Sequence, residues 1–63
     1  MHYAEMFEKY LTKCYETHNK DMFAAIIWMH KNQVRLPDGV IQANRHLSVE
    51  EKNGIIRDIL YPF

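Results

Sequence analysis

The cysteine and histidine side chains are the groups in this sequence best able to bind a metal ion. Cys14 and His18 stand one helical turn apart, and His2, His30 and His46 are scattered along the chain. A closed zinc site uses four ligands, commonly arranged in pairs at short spacings. One pair with three isolated histidines does not match that arrangement, so we expect no metal and no other cofactor.

Residues able to act as nucleophiles are few. Cys14 falls on the apolar side of a predicted helix, where a cysteine is far more often a small core residue than a nucleophile. Ser48 is the only serine and stands where it can cap a helix. No pair of carboxylates lies in an apolar context that would separate two pKa values. We therefore expect no catalytic residues and predict that the protein is not an enzyme.

Basic residues in the middle of the chain are candidates for nucleic-acid contacts, namely Lys31, Arg35, Arg45 and His46. The whole chain is neutral, but residues 22–49 carry three basic residues against one acid. A DNA-binding domain usually shows a basic face and a polar recognition helix. Here the predicted second helix is apolar and the last begins with two acids. Nucleic acid is therefore a disfavoured partner. A small winged-helix-like transcriptional regulator that binds DNA is the alternative function.

Aromatic and methionine side chains are abundant for so short a chain. One tryptophan, four tyrosines and three phenylalanines make eight aromatics, beside four methionines in 63 residues. These residue types are enriched in interface cores, and a small core does not easily cover so many. We predict a regulatory, adaptor or inhibitor protein that binds a protein partner stoichiometrically. The candidate interface residues are Val34, Leu36, Val40, Tyr61 and Phe63.

The length predicts one compact domain, residues 1–63, with a small core. A chain of this size buries only about 60% of its unfolded surface, and such domains usually add a disulfide, a metal or a second subunit. The single cysteine excludes an internal disulfide. We see no secretory signal, and the longest apolar run is far shorter than the ~20 residues that a membrane span needs. We therefore expect a cytoplasmic protein without membrane contact. Of these three sources of added stability, a second subunit then remains, so we expect a homodimer.

Two helices are predicted in the first half of the chain. Residues 3–17 place apolar side chains at every third and fourth position, which is the pattern of an amphipathic helix. Residues 22–31 contain eight consecutive apolar residues and predict a helix capped by Asn19 or Asp21, with a buried strand as the competing interpretation. Because this second helix is apolar all round, we expect it to be the buried centre of the fold, with Trp28 in the core.

Residues 33–43 predict a β-hairpin. Val34 and Leu36 alternate with Arg35, and Pro37-Asp-Gly39 is a turn pattern, so strands are expected at 33–36 and 40–43. A loop followed by a short helix at 38–45 is the alternative. An isolated hairpin is marginally stable in water, so this one must pack on the helices or pair with another chain.

The last predicted helix begins at a capping box formed by Ser48 and Glu51. An apolar stripe runs from Val49 to Leu60, interrupted by Asn53-Gly54 at a cost of ~1 kcal/mol relative to alanine. The predicted fold is therefore a small α-rich α+β domain with the order α-α-β-hairpin-α. An all-α bundle of three or four helices is the alternative.

Overall fold

The computed structural model describes residues 2–61, which form four α-helices with short connections. No strand occurs in this range. The predicted α+β fold with a hairpin is therefore wrong, whereas the alternative of an all-α bundle is confirmed. In chain order the elements are α1 (Tyr3–Thr17), α2 (Met22–Lys31), a 3₁₀ turn (Gln33–Arg35), α3 (Asp38–His46) and α4 (Val49–Leu60).

The central element is α1, on which each of the other three helices packs, while α2, α3 and α4 contact one another only weakly. Phe7, Leu11 and Cys14 are the buried residues of α1, one helical turn apart on the same side. Leu11 is the most completely enclosed large side chain of the described residues, with 1% of its surface exposed. The amphipathic first helix, and not the apolar second one, is thus the centre of the fold.

The second helix starts as predicted, because the Asp21 carboxylate accepts a hydrogen bond of 3.1 Å from the Ala24 N–H. Only Ala25 and Met29 are buried, since α2 presents a single face to α1. Because the side chain of Ala25 is small, α1 and α2 can approach each other closely at this position. Trp28 is half-buried at the edge of the core, so the prediction of a fully buried second helix with Trp28 at its centre is wrong.

The segment predicted as a hairpin is a 3₁₀ turn followed by α3. Leu36 is extended, as expected before a proline, and Pro37 has the φ of −57° that suits the start of a helix. Gly39 lacks the positive φ that the hairpin turn requires. Val40 and Ala43 are both buried in the core. A helix satisfies its backbone hydrogen bonds internally, whereas two strands here would leave open edges.

The capping box of the last helix is confirmed: the Ser48 hydroxyl accepts from the Glu51 N–H at 3.1 Å, and the Glu51 carboxylate accepts from the Ser48 N–H at 2.9 Å. The helix continues through Asn53-Gly54 without a break and ends at Leu60. The core assembled by the four helices and their connections consists of Phe7, Leu11, Cys14, Ala25, Met29, Leu36, Val40, Ala43, Leu47 and Ile55.

Candidate protein-binding groove

An apolar groove lies between α2 and α4. Phe7 and Leu11 of α1 line it together with Met29, and Ile26 of α2 and Ile56 of α4 contribute further apolar lining. Its volume is about 230 Å³. The groove exists because α2 and α4 both pack on α1 while making little contact with each other. Phe7 and Leu11 line the groove but are themselves buried, with 6% and 1% of their surface exposed.

Further exposed apolar side chains lie on α2 and α4, most of them outside the lining of the groove. On α2, Phe23 is 76% exposed, and Ile26 and Ile27 lie three and four residues further on, also exposed. On α4, Val49 is 71% exposed, and Leu60 is also exposed. Residues at these spacings lie on one side of a helix. The helix α2 therefore has two apolar faces, one against α1 and one open to solvent.

The polar residues that line the groove are His30, Gln33, Asn44 and Lys52, and none of the lining residues is acidic. Lys52 is half-buried and lies three residues before Ile55 on α4, in the apolar stripe of that helix. A lysine at such a position packs its methylene groups on apolar surface while its ammonium group stays in water. Lys52 is thus the one lysine, arginine, aspartate or glutamate among the residues that line the groove.

Cys14 and His18 do not form a metal-binding pair. The Cys14 thiol is buried, and this burial raises its pKa. His18 Nδ1 lies 2.7 Å from the Cys14 carbonyl oxygen, so the imidazole binds backbone at the end of α1. Among residues 2–61, no three histidine, cysteine, aspartate or glutamate side chains are placed to hold a metal ion.

The residues predicted as the protein interface and described by the structure lie in the 3₁₀ turn, just after it, in α3 and just after α4. Leu36 and Val40 are buried in the core of this chain. Val34 is 95% exposed in the 3₁₀ turn, and Tyr61 is exposed after the end of α4. Phe63 lies outside the described residues. Leu36 also lines the groove between α2 and α4, whereas Val34, Val40 and Tyr61 do not.

The residues predicted for nucleic-acid contact lie on three elements. Lys31 is the last residue of α2, Arg35 belongs to the 3₁₀ turn, and Arg45 and His46 form the end of α3. All four are exposed. The His46 ring is stacked on the Tyr3 ring of α1. DNA binding by these residues stays a prediction.

Comparison with protein-family models, curated proteins and solved structures gave no match to this chain. Within the described part of the chain, no helix is long and apolar enough to cross a membrane.

Among the residues that line the groove, Leu36 was a predicted interface residue, whereas Ile26, His30, Lys52 and Ile56 were not predicted. One signal in the sequence pointed to part of this surface, namely the all-round apolarity of α2. Only two of its residues are buried against α1, so the remaining apolar residues lie elsewhere on its surface. That observation predicts an exposed apolar face on α2 but does not indicate which helix lies beside it.

Proposed function

We propose that this protein acts as a regulator or adaptor by stoichiometric binding of another protein, and not by catalysis. The observation that carries the proposal is the groove between α2 and α4, where the exposed Ile26 and the half-buried Ile56 line one cleft together with buried core side chains. Contiguous exposed apolar surface on a small protein marks an interaction site. Binding at this groove covers apolar area that the four helices leave in contact with water.

The experiment is affinity capture from the native host, followed by calorimetric titration of the captured protein. Ile26→Asp places a charge in the groove at a position exposed enough to preserve the fold. Val34→Asp is the comparison, because it also replaces an exposed β-branched apolar residue by aspartate, at a predicted interface position that does not line the groove. Circular dichroism of both variants checks that the helices are retained.

We expect one-to-one binding that weakens by at least about tenfold in Ile26→Asp, as for a residue near the centre of an interface. Binding to the Val34→Asp variant should remain within about twofold of wild type. Loss of binding in Val34→Asp alone would instead favour the surface around the 3₁₀ turn. Unchanged binding by both variants would rule out the groove as the interface.

The outer face of α2 supports a second part of the proposal, that the protein forms a homodimer. Phe23 and Ile27 are exposed and one helical turn apart, and neither lines the groove. Antiparallel pairing of two such helices buries both residues against their copies in an isologous interface. Sedimentation equilibrium at micromolar concentration should show a dimer that Phe23→Ser dissociates. A stable monomer with a thermal midpoint unchanged by dilution would contradict it.

DNA binding is distinguished from protein binding by its dependence on salt. Retention on duplex DNA at low salt, lost in Arg35→Ala and in Arg45→Ala, would favour the DNA-binding alternative. Absence of retention at low salt would remove it.

A further inference from the structure

We propose that two copies of this chain exchange their first helix, so that α1 of one copy packs on α2, α3 and α4 of the other. In this exchanged dimer, α1 and α2 of each copy form one continuous helix over residues 3–31. The inference goes beyond the proposed function. It also makes the groove a shared site, because Phe7 and Leu11 then come from one copy and Ile26 and Ile56 from the other.

The contacts between the helices make α1 the element that can be exchanged. Each of α2, α3 and α4 packs on α1 and only weakly on the other two. The main tertiary contacts of the chain therefore run between α1 and the rest of the fold. These contacts form equally well when α1 belongs to a second copy, so the exchanged dimer retains the core of the monomer.

The connection between α1 and α2 has a strained backbone. Among the described residues, only Asn19 and Lys20 have positive φ, at 59° and 60°. In this left-handed region the Cβ atom lies too close to the following carbonyl oxygen, and residues other than glycine usually enter it singly. Lysine also lacks the short polar side chain that makes asparagine more tolerant of it. A continuous helix removes this clash at both residues.

The sequence of the connection permits a continuous helix. Residues 18–21 read His-Asn-Lys-Asp and contain no glycine or proline that would interrupt one. Joining α1 to α2 also removes one C-terminus and one N-terminus, whose backbone groups lack partners within a helix. The Ala24 N–H now donates to the Asp21 carboxylate. In the joined helix it donates to the Lys20 carbonyl instead, so this hydrogen bond is replaced.

The buried residues of α1 and α2 are in phase for a single helix. Spacings of three and four residues continue through the connection, although the chain turns there in the monomer. The positions, all buried or half-buried, are Phe7, Leu11, Cys14, His18, Met22, Ala25 and Met29. On one continuous helix these side chains lie on the same side. Two such helices, antiparallel to each other, place the α1 half of each against the α2 half of the other.

The exchanged dimer differs from a dimer in which two intact copies pair through Phe23 and Ile27 of α2. Exchange requires α1 to leave its own chain. The exchanged dimer therefore forms on refolding at high concentration, and it dissociates only as fast as the chain unfolds. Pairing of intact copies reaches equilibrium on dilution without unfolding.

The first test changes the conformational preference of the connection in the full chain. Asn19→Gly/Lys20→Gly removes the clash in the turn and disfavours a helix, whereas Asn19→Ala/Lys20→Ala retains the clash and favours a helix. Asn53→Ala is the matched control, because it also raises helix propensity, at an exposed position inside α4. Each protein is refolded from urea at several concentrations, and size-exclusion chromatography with light scattering measures the dimer. Circular dichroism verifies that the helices are retained.

We expect dimerisation constants at least about tenfold above wild type for the double alanine variant and at least about tenfold below it for the double glycine variant. Asn53→Ala should remain within about twofold of wild type, because it lies away from the connection. Phe23→Ser should leave this dimer in place. A dimer that Phe23→Ser dissociates and the connection variants do not change, or no dimer of the double alanine variant, would overturn the exchange.

The second test measures a distance within one chain. Glu8 of α1 and Lys31 of α2 are exposed and 23 positions apart. On a continuous helix they are about 35 Å apart, whereas the folded chain spans 25 Å along its longest axis. Spin labels are attached to Glu8→Cys and Lys31→Cys in a Cys14→Ala chain, and excess unlabelled chain leaves one labelled copy per dimer.

Pulsed electron paramagnetic resonance of the dimer fraction should give a distance near 35 Å. A distance unchanged from that of the monomer would overturn the exchange. Neither negative result affects protein binding at the groove, because the groove is also present in the monomer.

Discussion

The ring of His46 lies on the ring of Tyr3, with the ring centroids 4.9 Å apart and the planes inclined by only 8°. This contact joins the last turn of α3 to the first turn of α1. One face of the imidazole is therefore covered by a neighbouring ring, although the residue as a whole is exposed. The contact thus pairs the C-terminal end of α3 with the N-terminal end of α1.

We expect a double-mutant cycle with Tyr3→Leu and His46→Leu to show a coupling of about 0.5–1.5 kcal/mol in the free energy of unfolding, the range for stacked ring pairs. Urea denaturation followed by circular dichroism measures it. Additive effects of the two substitutions would show that the stacked rings contribute nothing beyond the area each one buries.

Leu11→Ala should destabilise the fold more than Trp28→Ala does. Leu11 is fully enclosed at the centre of the core, so its truncation leaves a cavity that costs about 2–5 kcal/mol. Trp28 is only half-buried. We therefore expect Trp28→Ala to cost less than the ~3–5 kcal/mol of unfolding free energy that truncation of a fully buried tryptophan costs. Urea midpoints of the two variants test the order. A larger loss in Trp28→Ala would restore that residue to the centre of the core.

Gly54→Ala should stabilise the protein by about 0.5–1 kcal/mol, because Gly54 lies inside α4 and a methyl group there meets no atom within 4 Å. Gly39→Ala is the matched control. Its methyl group would lie 2.9 Å from the Met6 Cε, so that side chain must move. Thermal melting should show a clear gain for Gly54→Ala and a smaller gain or a loss for Gly39→Ala. Equal gains would contradict this difference in packing.

Ser48→Ala should cost about 1 kcal/mol of stability, the usual effect of removing a hydroxyl that caps a helix N-terminus. The Ser48 hydroxyl accepts the Glu51 N–H, which otherwise has no partner within the helix. Ser48→Thr retains an acceptor and should keep most of the stability. Chemical denaturation compares the three proteins, and equal losses in both variants would show that the hydroxyl is not the stabilising group.

The stability contributed by Glu51 should depend on pH. Hydrogen bonds with Ser48, first that from its backbone N–H, hold the pKa of the Glu51 carboxyl below its ordinary value. A lowered pKa in the folded state gives stability that is present above the unfolded pKa and is lost as the pH falls through the folded pKa. Wild type should therefore exceed Glu51→Gln in urea midpoint at pH 7, with the difference shrinking below about pH 4.

Glu50→Gln is the control for this pH dependence, because Glu50 lies in the same helical turn but outside the capping box. The urea midpoints of wild type and both variants are compared at pH 7 and at pH 3. A difference between wild type and Glu51→Gln that stays constant over this range would mean that the hydrogen bonds do not favour the ionised carboxylate.

Features determined by neighbouring residues were predictable from the sequence. The bounds 3–17 and 22–31 match α1 and α2, and the caps at Asp21 and Ser48 form as expected. Each of these features depends on hydrogen bonds or side-chain spacing within a few residues. Local chemistry was therefore sufficient to locate these helices.

The third helix and the groove depend on contacts between distant parts of the chain. Pro37-Asp-Gly39 suits both a hairpin turn and a helix start, and the packing of Val40 and Ala43 in the core decides between them. Ile26 and Ile56 line one groove although 30 positions separate them. Spacing within a helix shows that it has apolar faces, but not which face another helix covers.

The central position of α1 has a consequence for how this sequence can vary. Because α2, α3 and α4 pack on α1 and barely on each other, a substitution on the exposed side of one of them leaves the packing of the other two unchanged. A substitution at Leu11 disturbs the shared core instead. The outer helices can therefore diversify one at a time, and new binding specificities can arise on α2 or α4 while α1 stays constrained.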